Sequence, residues 1–410
     1  MIDDHGGTRS SGADAMWRSC DRVQTIGIVG AGMMGRSIAL AAAVRGIQVR
    51  ISDTIPSVLS AAISDCCRAL GRTPLQDGRV RPVVSERDWG ACDLVIEAVL
   101  EKLAVKRRVL AGIEPWLNAG CVIASNTSSL RIGEIATALQ FPERCCGLHF
   151  LHPVSERAVV EVVEASCSSE RTLERAIGCV TQMGKTVIRV RDSSGFVVNR
   201  LLMSYLMESL EMLTEGVAIS TVEDVAKRLG MPVGPLAQID QIGVDVVVRV
   251  GAAFQNSVHQ RPAAARLLMD LYAQRRWGCK TDAGFYRYRV NTEPSLDLDI
   301  LRLIAQHVKQ ARPPSRLEIR QRLRLALVLE ASRVLQDGVV ARTEEIDLAT
   351  RGGLGFTGEI ACVFDWARRV GLQSVLGWCD RFREEHPHLA PTDRLGDLLE
   401  DSSDGLARAA

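Results

Sequence analysis

At 410 residues the chain is long enough for two or three domains, each with a sizeable core. Its 50 Lys and Arg balance 49 Asp and Glu, which argues against a general nucleic-acid binder and against a polybasic membrane surface. No apolar run reaches the ~18 residues needed for a membrane span.

Residues 1–22 are acidic, rich in small residues and without an apolar stretch, so they read as a flexible leader with no catalytic domain ahead of them and not as a secretory signal. The 12 cysteines form no C-x-x-C pair and sit mostly within apolar segments. Buried reduced thiols are the expectation, and with them a cytoplasmic location.

The first element is an apolar run, Ile26 to Val29, short enough for a buried parallel strand. Gly30, Gly32 and Gly35 follow in G-x-G-x-x-G spacing, then a small-residue helix from Arg36 to Arg45 and a second strand, Gln48 to Ser52, that ends on Asp53. Gly30 allows the turn out of the strand, Gly32 lets backbone approach a pyrophosphate, and Gly35 lets the helix pack closely on the sheet. Met33 and Met34 lie at the helix start, where unpaired N–H groups face the phosphates. Asp53 stands where a carboxylate accepts from a ribose 2′-hydroxyl and repels a 2′-phosphate, which favours NAD over NADP, although Arg50 lies nearby. Glycine triplets also make ordinary loops; here the strand before, the helix after and the acidic terminus are all present.

Cys92–Val99, Cys121–Ser125 and Cys146–Phe150 read as buried strands, with helices over Leu103–Leu117 and Leu130–Leu139. Val159–Glu164 and Thr186–Val190 read as further strands. This alternation predicts an α/β Rossmann-type, doubly wound parallel sheet over residues 23–192. After Gly195 the pattern turns helical, starting with an apolar stretch near Val198 that reads as a deeply buried helix. An all-α domain is expected over 193–312, with a boundary at the proline pair near residue 313.

The helical half contains a repeat at a displacement of 122 residues. Arg200-Leu201 matches Arg322-Leu323, Glu208 matches Glu330, Glu215-Gly216-Val217 matches Asp337-Gly338-Val339, Thr221 matches Thr343, and Glu223 matches Glu345. Residues 313–400 therefore read as a degenerate second copy of the helical domain, packed on the first as an internal dimer, with 401–410 a flexible tail. Gln321 stands where the first copy has Asn199, which makes the second copy structural and not catalytic.

Four residues carry candidate chemistry: Ser128, His149, Glu161 and Asn199. An imidazole at the end of a buried strand can take a proton from an alcohol and return it. Glu161 could fix its tautomer and stabilise the imidazolium. Each also has an ordinary alternative: a satisfied core histidine, a surface carboxylate, or turn and helix caps.

The chain resembles the 3-hydroxyacyl-CoA dehydrogenases over about residues 24–375. The resemblance rests on GAGMMG with Asp53, EAVLEKLAVK at Glu97–Lys106, SNTSSL at Ser125–Leu130, GLHFLHPV at Gly147–Val154, Glu161, DSSGFVVNR at Asp192–Arg200, MPVGP at Met231–Pro235 and KTDAGFYRY at Lys280–Tyr288. It implies NAD as cofactor and interconversion of (S)-3-hydroxyacyl-CoA with 3-oxoacyl-CoA in fatty-acid β-oxidation or a related pathway. By the same resemblance His149 is the catalytic base and Glu161 its partner, while Ser128 and Asn199 hydrogen-bond the substrate oxygens. Glu101, Lys106 and Asn126 then lie near the nicotinamide and its ribose, and Lys280 lies near the cofactor. The implied partner is an acyl-CoA, in a protein that is monomeric through its internal duplication or otherwise a homodimer.

Four departures stand out. His152 replaces the family's usual Asn, Arg157 replaces an apolar residue, Asp282 replaces a glycine, and the segment Thr54–Gly90 is short, with one brief helix near Val58–Leu70. The residues that would contact coenzyme A therefore have no assignment; Arg68 and Arg72 read as a solvated helix face. Two other readings follow: a dehydrogenase of a small free hydroxy acid, or an NAD-binding protein without turnover. Arg157 and His152 add positive charge near the acyl pocket, which suits an acyl group bearing a carboxylate.

Overall fold

The computed structural model describes residues 22–71, 78–253, 261–309 and 313–400. The expected leader up to residue 21, Arg72, Arg312 and the tail 401–410 lie outside the described residues.

The first half alternates β1 (Thr25–Val29), α1 (Met33–Val44), β2 (Gln48–Ser52), α2 (Pro56–Ala69), β3 (Val80–Pro82), β4 (Leu94–Glu97), α3 (Leu103–Ile113), β5 (Val122–Ser125), α4 (Ile132–Ala136), β6 (Cys145–Phe150), β7 (Val159–Glu164), α5 (Glu170–Gln182) and β8 (Thr186–Arg191). The strands form one eight-stranded sheet in the order β3-β2-β1-β4-β5-β6-β7-β8. β4, β5 and β6 are buried along their whole length, because helices cover both faces. One face packs Ile26, Ile38, Leu148 and Cys179 together. The other packs Ile123, Cys145 and Val163 against the helical half.

The sheet is not wholly parallel, as the alternation alone had suggested. β7 runs antiparallel to β6, and β8 is parallel to β7. Only residues 151–158 join β6 to β7, too few for the crossover of a dozen or more residues that a parallel pair needs. The short edge strand β3 was missed; it has three residues and ends in a proline. Between Thr54 and Gly90 the described residues contain the single α-helix α2, and Arg68 on it pairs with Asp65.

The second half is helical: α6 (Val198–Thr214), α7 (Ile219–Arg228), α8 (Pro235–Ile242), α9 (Val244–Ala253), α10 (Pro262–Ala273), α11 (Leu298–His307), α12 (Arg316–Gln336), α13 (Thr343–Leu348), α14 (Val363–Val370), α15 (Leu372–Phe382) and α16 (Leu395–Glu400). No described helix is long and apolar enough to cross a membrane. The described cysteines are free thiols, most of them buried, and burial pushes the Cys121, Cys146 and Cys179 thiols up to about 12.

α6 is buried nearly all round because α12 lies along it. Their seam carries reciprocal ion pairs. Arg200 reaches Glu330 at 2.6 Å and Asp337 at 2.7 Å, while Arg322 reaches Glu208 at 2.7 Å and Glu215 at 2.5 Å. Each pair is the other displaced by 122 residues. Ser204 Oγ donates to the Ala326 carbonyl at 2.9 Å, and those two positions are also 122 apart. Burial alone would raise the Glu208 carboxyl, but Arg322, His388 and Arg261 hold it well below the usual carboxylate range.

Removing one member of so buried a pair leaves the other charge uncompensated. Glu208→Gln is therefore expected to lower stability by about 3 kcal/mol, read from the urea midpoint. A loss below about 1 kcal/mol, the range of a surface pair, would show that the seam does not depend on this charge.

Candidate active site

The site starts from strand register. β6 and β7 place His149 directly opposite Glu161, so both side chains leave the same face of the sheet. His149 Nδ1 lies 2.6 Å from Glu161 Oε2. His149 is 3% exposed and Glu161 is fully buried. A carboxylate only accepts, so the Nδ1 proton donates to Glu161 and Nε2 is left as the free acceptor.

Burying Glu161 demands partners for its second oxygen. Oε1 accepts from the backbone N–H groups of Val197 at 2.8 Å and Val198 at 3.0 Å, at the start of α6. Gly195 and Phe196, at φ 71° and 53°, turn the chain so that these N–H groups meet the carboxylate. Positive φ at a phenylalanine is strained, and the Phe196 ring packs 5.5 Å from the His149 ring. The same entry puts Asn199 in the first turn of α6, where it does not cap the helix; its Nδ2 donates to the Ser128 carbonyl at 2.9 Å.

The loop after β5 is held by a second carboxylate. Glu101 Oε1 accepts from Thr127 Oγ1 at 2.5 Å, Ser128 N at 3.0 Å, and Ser129 N and Oγ at 3.1 and 3.0 Å. Burial would raise the Glu101 carboxyl, but Lys106 and the hydroxyls of Thr127 and Ser129 bring it below its ordinary value. Lys106 is 1% exposed, with Nζ 2.8 Å from Glu97 and 3.1 Å from Glu101. Its ammonium is thus held by two carboxylates, and its contact with the Ser128 loop runs through Glu101. Asn126 Oδ1 accepts from Phe150 N at 2.9 Å, tying the loop to β6.

Ser128, His149 and Asn199 line one cavity of about 200 Å³ whose other walls include Leu202, Met203, Val247 and Leu354. Met34 and Arg157 line it too, so the start of α1 and the β6–β7 connection both reach it. Gly353 and Leu354 belong to a π-helical turn, Ala349–Leu354, of the C-terminal segment. That segment, read from sequence as structural and not catalytic, supplies part of the cavity wall.

The glycine motif makes a cradle that fits a dinucleotide. A Cβ on Gly30 would collide with the Ala98 carbonyl, and one on Gly35 with the Gly30 carbonyl. Gly32 has open space beside it, and α1 starts there with no side-chain cap and no acid in its first turn. The first-turn N–H groups are therefore open to an anion, as a pyrophosphate requires. Met33 is exposed beside them. Asp53 accepts from Ala31 N and Ile55 N, each at 2.8 Å through a different oxygen, and each oxygen keeps a lone pair for a ribose hydroxyl.

Lys280 stands apart from this group. It pairs with Asp245 beside the start of α9, half-exposed over the Trp277 ring, and is not among the residues lining the cavity. Glu97, the Val197–Val198 N–H pair and the 353–354 turn went unrecognised in the sequence. Glu97 had a signal, an acid closing an apolar strand; the other two had none.

A Rossmann-type cradle opening beside a histidine–carboxylate pair defines the class of nicotinamide-dependent dehydrogenases. The 3-hydroxyacyl-CoA dehydrogenase NAD binding domain matches residues 25–193, and the C-terminal domain of the same family matches residues 195–288. The chain is 31% identical over 375 residues to the fatty acid oxidation complex subunit alpha of Psychrobacter cryohalolentis, covering 87% of this chain and 52% of that one. It thus spans about half the length of that curated relative. The structure of 3-hydroxybutyryl-CoA dehydrogenase from Escherichia coli superposes with a TM-score of 0.78 at 25% identity, covering 93% of this chain and 99% of that one. (S)-3-hydroxybutyryl-CoA dehydrogenase PaaH1 from Ralstonia eutropha is 32% identical with a TM-score of 0.60, covering 65% of this chain and 99% of that one. The chain belongs to the 3-hydroxyacyl-CoA dehydrogenase family, whose NAD-binding domain identifies it as an NAD-dependent oxidoreductase.

If Asp53 sets the choice of dinucleotide, Asp53→Asn should raise kcat/KM with NADPH relative to NADH by about tenfold or more, since it removes a charge that opposes a 2′-phosphate. An unchanged ratio would show that another residue makes the selection.

Proposed function

We propose that this protein interconverts (S)-3-hydroxyacyl-CoA and 3-oxoacyl-CoA with NAD. The observation that carries the reading is the buried His149–Glu161 pair, facing a cavity that also holds Ser128 and Asn199 and adjoins the glycine cradle. In the oxidation direction His149 takes the substrate hydroxyl proton at Nε2, and Glu161 stabilises the resulting imidazolium without accepting the proton. Ser128 and Asn199 hold the oxygen at the reacting carbon, and the apolar walls exclude water. When bound, NAD supplies the acceptor for the hydride that leaves the substrate. Glu101 keeps the Ser128 loop in place, with Lys106 as its counter-ion.

Residues 23–192 act in this proposal as the dinucleotide domain and 193–312 as the helical domain. Residues 313–400 act as a second helical copy docked as a partner subunit would be. The reciprocal pairs of Arg200 and Arg322 support that assignment, because a two-fold interface meets itself in this way. The proposed working form is a monomer in the cytoplasm. The short connection between β2 and β3, residues 53–79, favours a second reading, in which a small free hydroxy acid replaces the thioester.

NADH oxidation with acetoacetyl-CoA and with free acetoacetate separates the two. Turnover of the thioester is expected, with kcat in His149→Ala reduced by about 10²- to 10⁴-fold while NADH still binds. Turnover confined to the free acid would establish the second reading. An active His149→Ala variant would remove the proposed base.

A further inference from the structure

We propose that the cavity takes an acyl thioester whose chain ends in a carboxylate, and that Arg157 receives that carboxylate. The inference rests on the dehydrogenase reading above and specifies its substrate class.

Arg157 lies in the short connection between β6 and β7 and lines the same cavity as His149. Its one side-chain hydrogen bond among the described residues is a long one, from Nε to the His152 carbonyl at 3.4 Å. No described carboxylate pairs with it. The more deeply buried arginines do have partners: Arg200 with Glu330, Arg261 with Glu208, Arg276 with Asp297 and Arg322 with Glu215. Arg157 is partly withdrawn from water, and burial works against its charge, with only its exposed chain neighbour Glu156 acting in the other direction. A guanidinium stays charged regardless. The fold therefore holds an uncompensated cation at the wall of its substrate cavity.

The C-terminal turn lies beside it. Gly355, at φ 75°, lies so close that a Cβ there would collide with Arg157 Nη1. A Cβ on Gly353 would press on Val198 and Leu151 at 2.9 and 3.2 Å. The C-terminal turn thus borders the cavity at Gly353 and Leu354 and comes beside Arg157 at Gly355. The nearby lining includes Leu151, Leu202 and Leu354, which suits an alkyl chain better than a polyphosphate. Arg157 is four residues from Glu161, so its Cα lies within roughly 14 Å of the Cα opposite His149. A short acyl chain plus the arginine side chain can bridge that interval. A carboxylate arriving there gains two parallel hydrogen bonds from the guanidinium fork.

The test is kcat/KM for 3-hydroxyadipyl-CoA and 3-hydroxyhexanoyl-CoA, which match in chain length and differ in the terminal carboxylate, in the wild type, Arg157→Met and Arg157→Lys. The wild type should prefer the adipyl thioester. Arg157→Met should lower the adipyl-to-hexanoyl ratio about ten- to hundredfold, mainly through KM, and Arg157→Lys should restore part of it. A ratio that Arg157→Met leaves unchanged would overturn the inference, and equal losses on both thioesters would assign Arg157 to coenzyme A or to the fold. Turnover of neither thioester by the wild type would defeat the dehydrogenase reading itself.

Discussion

One buried carboxylate links the two halves of this protein. Glu161 gives one oxygen to the His149 imidazole and the other to the N–H groups that open α6. The first contact lies within the sheet and is fixed by the β6–β7 register; the second comes from the helical half. A charge with so little access to water is tolerable only while both are made. The pair that would carry proton transfer is thus also a joint between domains. The strained turn at Gly195 and Phe196 is the local cost of bringing α6 to it.

The helical half does more than cover the sheet. α6 presents Asn199 and Val198 to the cavity from its first turn, and its far side is held by α12 through Arg322 and Arg200. Whatever fixes α6 also fixes the angle at which Glu161 is met. The C-terminal segment then returns through the turn at 349–354 to complete the wall. In the proposed duplicated arrangement one chain supplies both faces of the seam, so the site does not depend on protein concentration as a two-chain interface would.

Much of this was legible in the residues. The glycine spacing with Asp53 needs only local chain geometry, and the structure has Gly30 and Gly35 packed against backbone as that spacing requires. The displacement of 122 residues was legible because charged residues recur at matching positions, and the structure joins those same charges across the seam. The direction of β7 was not, since an apolar run carries no sign of its orientation; the eight-residue connection was the missed clue. Lys106 matched a motif but lies inward against Glu97, a contact between elements that spacing alone does not reveal. The uncompensated charge on Arg157 depends on which carboxylates are absent nearby, and the wall at 353–354 on a segment some 200 residues from His149 in sequence. Such long-range placements are set by packing, which no local pattern encodes.

The most direct test of the account is a double-mutant cycle in kcat between His149→Ala and Glu161→Gln, with NADH binding measured alongside. If Glu161 acts through His149, each single change should cut kcat by about 10²-fold or more, and the double variant should be scarcely worse than His149→Ala alone. Losses that multiply would mean the two residues act independently, and the histidine–carboxylate unit would no longer stand as the centre of the mechanism.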